Sequence, residues 1–185
     1  MRFTETPLTG VWVVELEPIE DERGWFARTF DGAEFAERGM TLPVVQANAS
    51  YNACAGTLRG MHYQAAPDGE AKLVHCVRGA IFDVAVDLRE DSPTCRGWYG
   101  VELAEDNRRM LYIPAGLAHG FQTLRDGSEV HYLMGHPYVP EAVRGVRWDD
   151  PAFAIDWPPP PAGGRIVSER DGAFPDWRAG ARGDV

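Results

Sequence analysis

Cysteine is scarce in this chain, with three among 185 residues, at Cys54, Cys76 and Cys95. They are odd in number, widely spaced and never in a Cys-x-x-Cys pair, which sets aside zinc-ribbon and thioredoxin-type sites. They read as small buried hydrophobes or free thiols. Long apolar runs are missing too. The opening residues, Met1-Arg2-Phe3-Thr4-Glu5, start no run of signal-peptide length and nothing approaches a membrane span. A soluble, cytoplasmic protein with no membrane partner is therefore expected. Positive charge is in deficit, with 18 Lys and Arg against 28 Asp and Glu and a formal charge of -10. Nucleic acid, which demands a basic footprint, is thereby excluded as the main partner. A small anionic ligand is not, because a local cluster of Arg, Lys and His can hold a phosphate on an acidic protein. No internal repeat or second-domain boundary is visible, so residues 1–185 read as one domain whose last ten, 176–185, form a flexible tail.

Hydrophobic residues make up 44% and charged residues 25% of the chain, so an ordinary core can form without staples. The 20 glycines and 14 prolines point to many turns. Between those turns lie short apolar or alternating runs: Val11 to Leu16, Val44 to Asn48, Lys72 to Val77, Ala80 to Leu88, Trp98 to Leu103, Met110 to Ile113 and Val130 to Met134. Their lengths and β-branched content favour strands, and many short strands at this spacing predict an all-β sandwich or barrel. Asp31 followed by Glu34 resembles a capping box, with Gly39 as a stop, which predicts a helix of one to two turns near Gly32 to Arg38. Trp157 to Gly164, with four consecutive prolines, is an irregular connector.

Two segments concentrate polar chemistry. In Leu58-Arg59-Gly60-Met61-His62-Tyr63-Gln64, a regular strand puts His62 and Gln64 on one face and Arg59 on the other. A bend at Gly60 would bring Arg59 round to the same cavity. Taken alone, a histidine here fits a hydrogen-bonded core residue at least as well as a catalyst, and Lys72 in its apolar strand fits an edge position. The second segment, Ile113 to Phe121, carries Pro-x-Gly-x-x-His, a tight turn that delivers His119 to the next strand. It resembles the second motif of the cupin jelly rolls. Metal-binding cupins present two histidines one residue apart in the first motif, where this chain has His62-Tyr63-Gln64, so no metal site is expected.

A narrower resemblance follows. Gly56 to Gln64, Asp21 to Phe26, Gln46-Ala47-Asn48, Asp87-Leu88-Arg89 with Ser92-Pro93-Thr94, Pro114 to Phe121, Trp148 to Pro151, Ile155 to Pro158 and Ser168 to Asp171 resemble, in order, the motifs of the dTDP-4-dehydrorhamnose 3,5-epimerase family. They span Pro7 to about Pro175. The resemblance implies a cupin-type jelly roll with a few short helices, acting without metal or organic cofactor on a nucleotide-linked 4-keto-6-deoxyhexose. It implies His62 as base, Asp171 as its hydrogen-bond partner, Tyr132 as proton donor from the opposite face and Lys72 as positive charge beside the enolate oxygen. It also implies Arg59, His119 and Arg23 at the diphosphate or sugar, Gln46 and Asn48 as a binding run, and Phe26 and Tyr138 against the base. The family's N-terminal segment crosses to a neighbour, so a homodimer is expected, with Arg23 and Phe26 serving the partner's site.

The chain departs from the family pattern at Arg28 and Val143, both usually Glu, and at Val167, an Arg in some members. Arg28 at a nucleobase would favour acceptor-rich edges and a CDP sugar; Arg28 facing solvent would leave dTDP in place. Inversion at C3, at C5 or at both stays open, as does binding without catalysis, against which the intact His62, Lys72, Tyr132 and Asp171 weigh.

Overall fold

The computed structural model describes residues 1–178. Its elements are β1 (Arg2–Glu5), β2 (Trp12–Glu15), β3 (Ile19–Asp21), β4 (Gly24–Phe26), α1 (Gly32–Ala36), β5 (Gln46–Asn52), β6 (Thr57–Gln64), β7 (Lys72–Arg78), β8 (Ala80–Asp87), β9 (Trp98–Ala104), β10 (Arg109–Ile113), β11 (Leu117–Thr123), β12 (Ser128–Met134), β13 (Val143–Gly145), β14 (Ile166–Val167) and α2 (Glu169–Gly172). One antiparallel sheet runs β1-β2-β10-β7-β12-β5, the other β13-β6-β11-β8-β9, and β14 adds to β6 in parallel. The all-β expectation therefore holds, in the two-layer arrangement of a sandwich. The short helix is where the Asp31 signal put it: the Asp31 carboxylate accepts from the Ala33 and Glu34 amides, and Gly39 takes a positive φ of 74° just beyond the helix. No described helix is long and apolar enough to cross a membrane.

Between the sheets lies a core of Val13, Val74, Cys76, Ile81, Ala85, Leu103, Leu111, Phe121 and Val130. The outer face of the second sheet is covered as well: Val84 and Val86 pack with Val146, Phe153 and Trp157 of the C-terminal segment. Burial on both faces explains why β8 reads as a nearly unbroken apolar run. Trp177 packs against Phe153, with ring centroids 6.0 Å apart; the rest of the expected tail, 179–185, lies outside the described residues.

Asp83 and Asp87, the two acids within β8, are fully buried and face inward, and each has a distinct set of partners. Asp87 closes the 89–94 loop by accepting from Arg89 (Nε 2.8 Å, Nη2 2.8 Å), Ser92 Oγ (2.6 Å) and Thr94 Oγ1 (2.7 Å). Burial opposes its charge, but these bonds outweigh burial and pull its pKa from an ordinary 3.8 down to about 2. A depressed folded-state value stabilises the fold above the unfolded value, and that stability is lost as pH falls through the folded value. The difference corresponds to about 2 kcal/mol at neutral pH. Thermal melts of wild type and Asp87→Asn are therefore expected to differ at pH 6 and to converge as the pH drops from 3.8 to about 2.

Candidate active site

At one end of the sandwich the inter-sheet space is not filled by apolar side chains. It opens into a cavity of about 680 Å³ lined by Asn48 and Ser50 of β5, Arg59 and His62 of β6, Lys72 of β7, His119 of β11, Tyr132 of β12 and Asp171 of α2. Gln46 and Tyr138 stand in the same lining. Period-two alternation places these residues: Tyr132 lies opposite Asn48 and Val74, and Met134 opposite Gln46 and Lys72, so all face inward together. Arg59 and His62, three residues apart, share the cavity because β6 bulges. His119 pairs with His62 and Phe121 with Arg59, leaving Gly60 and Met61 opposite Gly120 alone. The bend expected at Gly60 is that bulge.

His62 is held by its Nε2, 2.8 Å from Asp171 Oδ1. The other carboxylate oxygen of Asp171 accepts the Gly60 amide at 3.1 Å. Burial disfavours the Asp171 charge, but the bonds from His62, Gly60 and Ser168 outweigh it and hold the pKa below the usual carboxylate range. An ionised Asp171 can only accept, so His62 Nε2 carries a hydrogen, and in the neutral imidazole Nδ1 then has the lone pair a base requires. Phe174 meets the imidazole edge-on at 5.8 Å.

The other polar groups are paired as tightly. Lys72 Nζ sits 2.9 Å from Glu70 Oε1 and donates to the His62 carbonyl at 3.3 Å; its side chain is only 7% exposed. The edge position its sequence suggested is thus not where it lies. His119 Nε2 is 2.7 Å from Asp83 Oδ1. Burial pushes the Asp83 carboxyl above its ordinary value, against the opposing charge of His119. Tyr132 Oη is 3.2 Å from Ser50 Oγ, and burial raises its pKa strongly. Arg59 Nε donates to Asn52 Oδ1 at 2.7 Å. Gln46 Nε2 donates to Asn48 Oδ1 at 3.0 Å, and its Oε1 accepts the Tyr138 amide at 3.2 Å. Gln64 is structural here: it ties β6 to the 137–139 loop through the Pro137 carbonyl and the Val139 amide.

Three of the expected binding residues stand outside the cavity of their own chain. Arg23 pairs with Asp21, and Phe26 is 71% exposed, both on the β3–β4 hairpin. Arg28 pairs with Asp31 at 2.6 Å. Val143 and Val167, the other departures, line the cavity. Four partners escaped the sequence reading: Glu70, Asp83, Ser50 and Asn52. Asp83 was signalled by an acid on the inward face of an apolar strand, and Ser50 and Asn52 by their alternation with Asn48. Glu70 carries no signal beyond its position two residues before Lys72.

The arrangement offers an imidazole hydrogen-bonded to a carboxylate, a half-buried phenol and an ammonium, all facing one space large enough for a nucleotide sugar. Residues 5–179 match the family model described as dTDP-4-dehydrorhamnose 3,5-epimerase. The chain belongs to that family. A dTDP-4-dehydrorhamnose 3,5-epimerase of Methanothermobacter thermautotrophicus is 47% identical over 171 residues, covering 92% of this chain and 91% of the relative. The crystal structure of the 3,5-epimerase from Bacillus anthracis with TDP and PPi bound is 39% identical and superposes with a TM-score of 0.89, covering 95% of this chain and 99% of that one. A dTDP-4-dehydrorhamnose 3-epimerase of Streptomyces niveus is 41% identical, covering 92% and 81%. The cupin-type jelly roll expected from the sequence is the fold this epimerase family shares.

Proposed function

We propose that the cavity binds dTDP-4-dehydro-6-deoxyglucose and inverts C3 and C5 to give dTDP-4-dehydrorhamnose, a step of deoxysugar biosynthesis in the cytoplasm. The observation that carries this reading is the His62–Asp171 pair sharing one cavity with Tyr132 and Lys72. A C–H bond beside the C4 ketone is weakly acidic. His62 Nδ1 takes that proton, and Asp171 supports the imidazolium that forms. The electrons move onto the ketone oxygen, where the Lys72 ammonium offsets the developing charge. Tyr132 then delivers its proton to the same carbon from the other face, which inverts it. Arg59 suits the diphosphate through forked, charge-assisted bonds, with His119 beside it and Gln46, Asn48 and Tyr138 toward the nucleoside. The chemistry asks for no metal and no organic cofactor.

The reading includes a homodimer. Arg23, Phe26 and Arg28 complete no site in their own chain, and the hairpin bearing the first two exposes Ile19 (73%), Trp25 (51%) and Phe26 (71%). Such a hairpin suits delivery to a second copy's cavity. The Streptomyces niveus relative supports a second reading, inversion at C3 alone, with the same residues in the same roles.

The nucleotide is tested with matched dTDP- and CDP-linked substrates. With Arg28 engaged by Asp31, dTDP is expected to be preferred in kcat/KM by at least about tenfold. Equal turnover of the two would overturn the nucleotide assignment.

A further inference from the structure

β5 turns Asn48, Ser50 and Asn52 toward the interior at every second residue, and the last two connect Arg59 to Tyr132. The orientation of Asn52 in that connection follows from chemistry. A guanidinium only donates, so the bond from Arg59 Nε fixes Asn52 Oδ1 as the acceptor. The Asn52 amide nitrogen must then face the other way, where it lies 3.2 Å from the Ser128 carbonyl and 3.4 Å from both the carbonyl and Oγ of Ser50. The Ser128 carbonyl only accepts, so both sides of the amide demand the same orientation. Asn52 is 2% exposed, so water does not compete for it.

Ser50 Oγ can receive from Asn52 and still donate its own hydrogen to Tyr132 Oη, 3.2 Å away. Among the described residues that hydroxyl is the only hydrogen-bond partner of the phenol. With Ser50 as the donor, the phenol oxygen accepts from the strand and its own hydrogen is left for the cavity.

We infer that Ser50 and Asn52, anchored by Arg59, are positioning residues that aim the Tyr132 proton at the bound sugar and stabilise the phenolate left behind. This rests on the reading of Tyr132 as proton donor. In the step, the Tyr132 O–H bond breaks and a C–H bond forms with the electron pair of the enolate. The O–H pair stays on the phenol oxygen, where Ser50 donates to it. The proton removed earlier remains on His62. Without Ser50 the phenolate forms half-buried with no donor among the described residues, and the phenol is free to turn its hydrogen away from the substrate.

The test separates the two proton transfers. In deuterated water, deuterium enters C3 and C5 without inversion whenever His62 returns an exchanged proton to the face it came from. Inversion needs Tyr132. Ser50→Ala is expected to slow inversion of dTDP-4-dehydro-6-deoxyglucose by about tenfold or more while exchange stays close to wild type. The exchange-to-inversion ratio therefore rises by that factor. Asn52→Asp keeps the bond from Arg59 but cannot donate to Ser50, and is expected to raise the ratio in the same direction. Ser50→Thr, which keeps the hydroxyl, is expected to restore it. A ratio unchanged in Ser50→Ala, whether both rates fall together or neither falls, would overturn the inference and leave the epimerase reading intact. Wild type showing neither exchange nor inversion would overturn that reading and the inference with it.

Discussion

His62→Ala is expected to lose epimerisation by about 10³-fold while still binding dTDP, because general base catalysis is removed and the groups proposed for the diphosphate stay in place. The base role proposed for the imidazole rests on how it is held. Its Nε2 is committed to Asp171, its ring is steadied by Phe174, and among the described residues its other nitrogen has no hydrogen-bond partner. Arg59 and His119 are held by Asn52 and Asp83, not by His62, so the binding surface survives the substitution. Activity assayed by NMR alongside calorimetric dTDP binding separates the two. Full activity in the variant would remove the base from the account, and lost binding would show that His62 belongs to the binding surface too.

The largest effect on stability is expected at Gly60. A Cβ there would stand 2.5 Å from Gly120 Cα and 2.9 Å from the His119 carbonyl oxygen, both backbone atoms that cannot swing aside. The residue also has φ +130°, a conformation L side chains rarely adopt. Gly60→Ala is therefore expected to cost at least about 3 kcal/mol, lowering the melting temperature by about 10 °C. The consequence is also functional: the bulge around Gly60 puts Arg59 and His62 in one cavity, and the Gly60 amide is one of the donors holding Asp171. A melting curve read beside the activity checks both. A variant as stable as wild type would show that β6 and β11 can separate at this point without cost.

The longer strands and the first helix were legible because their signals are local, whereas the short β1, β3, β4, β13, β14 and α2 carry no apolar alternation long enough to read. Alternation, turn residues and the Asp31 cap each act within a few residues of the element they specify. β5 was only half visible, since Ala49 to Asn52 lack the apolar alternation of a buried strand. That half of the strand turns polar residues into the cavity, as a site must and a core must not. His62, Lys72, Tyr132 and Asp171 carried a family resemblance, and the fold brings all four to one cavity. Their partners were harder to see because contact was made by topology: His119 meets Asp83 across 36 residues and Arg59 meets Asn52 around a turn. Lys72 looked like an edge residue because sequence gives no hint that Glu70 and the His62 carbonyl neutralise it inside. The charge of -10 gave no sign of a pocket lined by Arg59, Lys72, His119 and Arg170, since net charge says nothing about its distribution.

The central claim, proton removal beside a C4 ketone by His62, is tested most directly by following C3 and C5 of dTDP-4-dehydro-6-deoxyglucose by NMR in deuterated water with wild type and His62→Ala. Deuterium is expected at both carbons with wild type and at neither with the variant. Wild type that labels neither carbon, or a variant that labels both at the wild-type rate, would contradict the account.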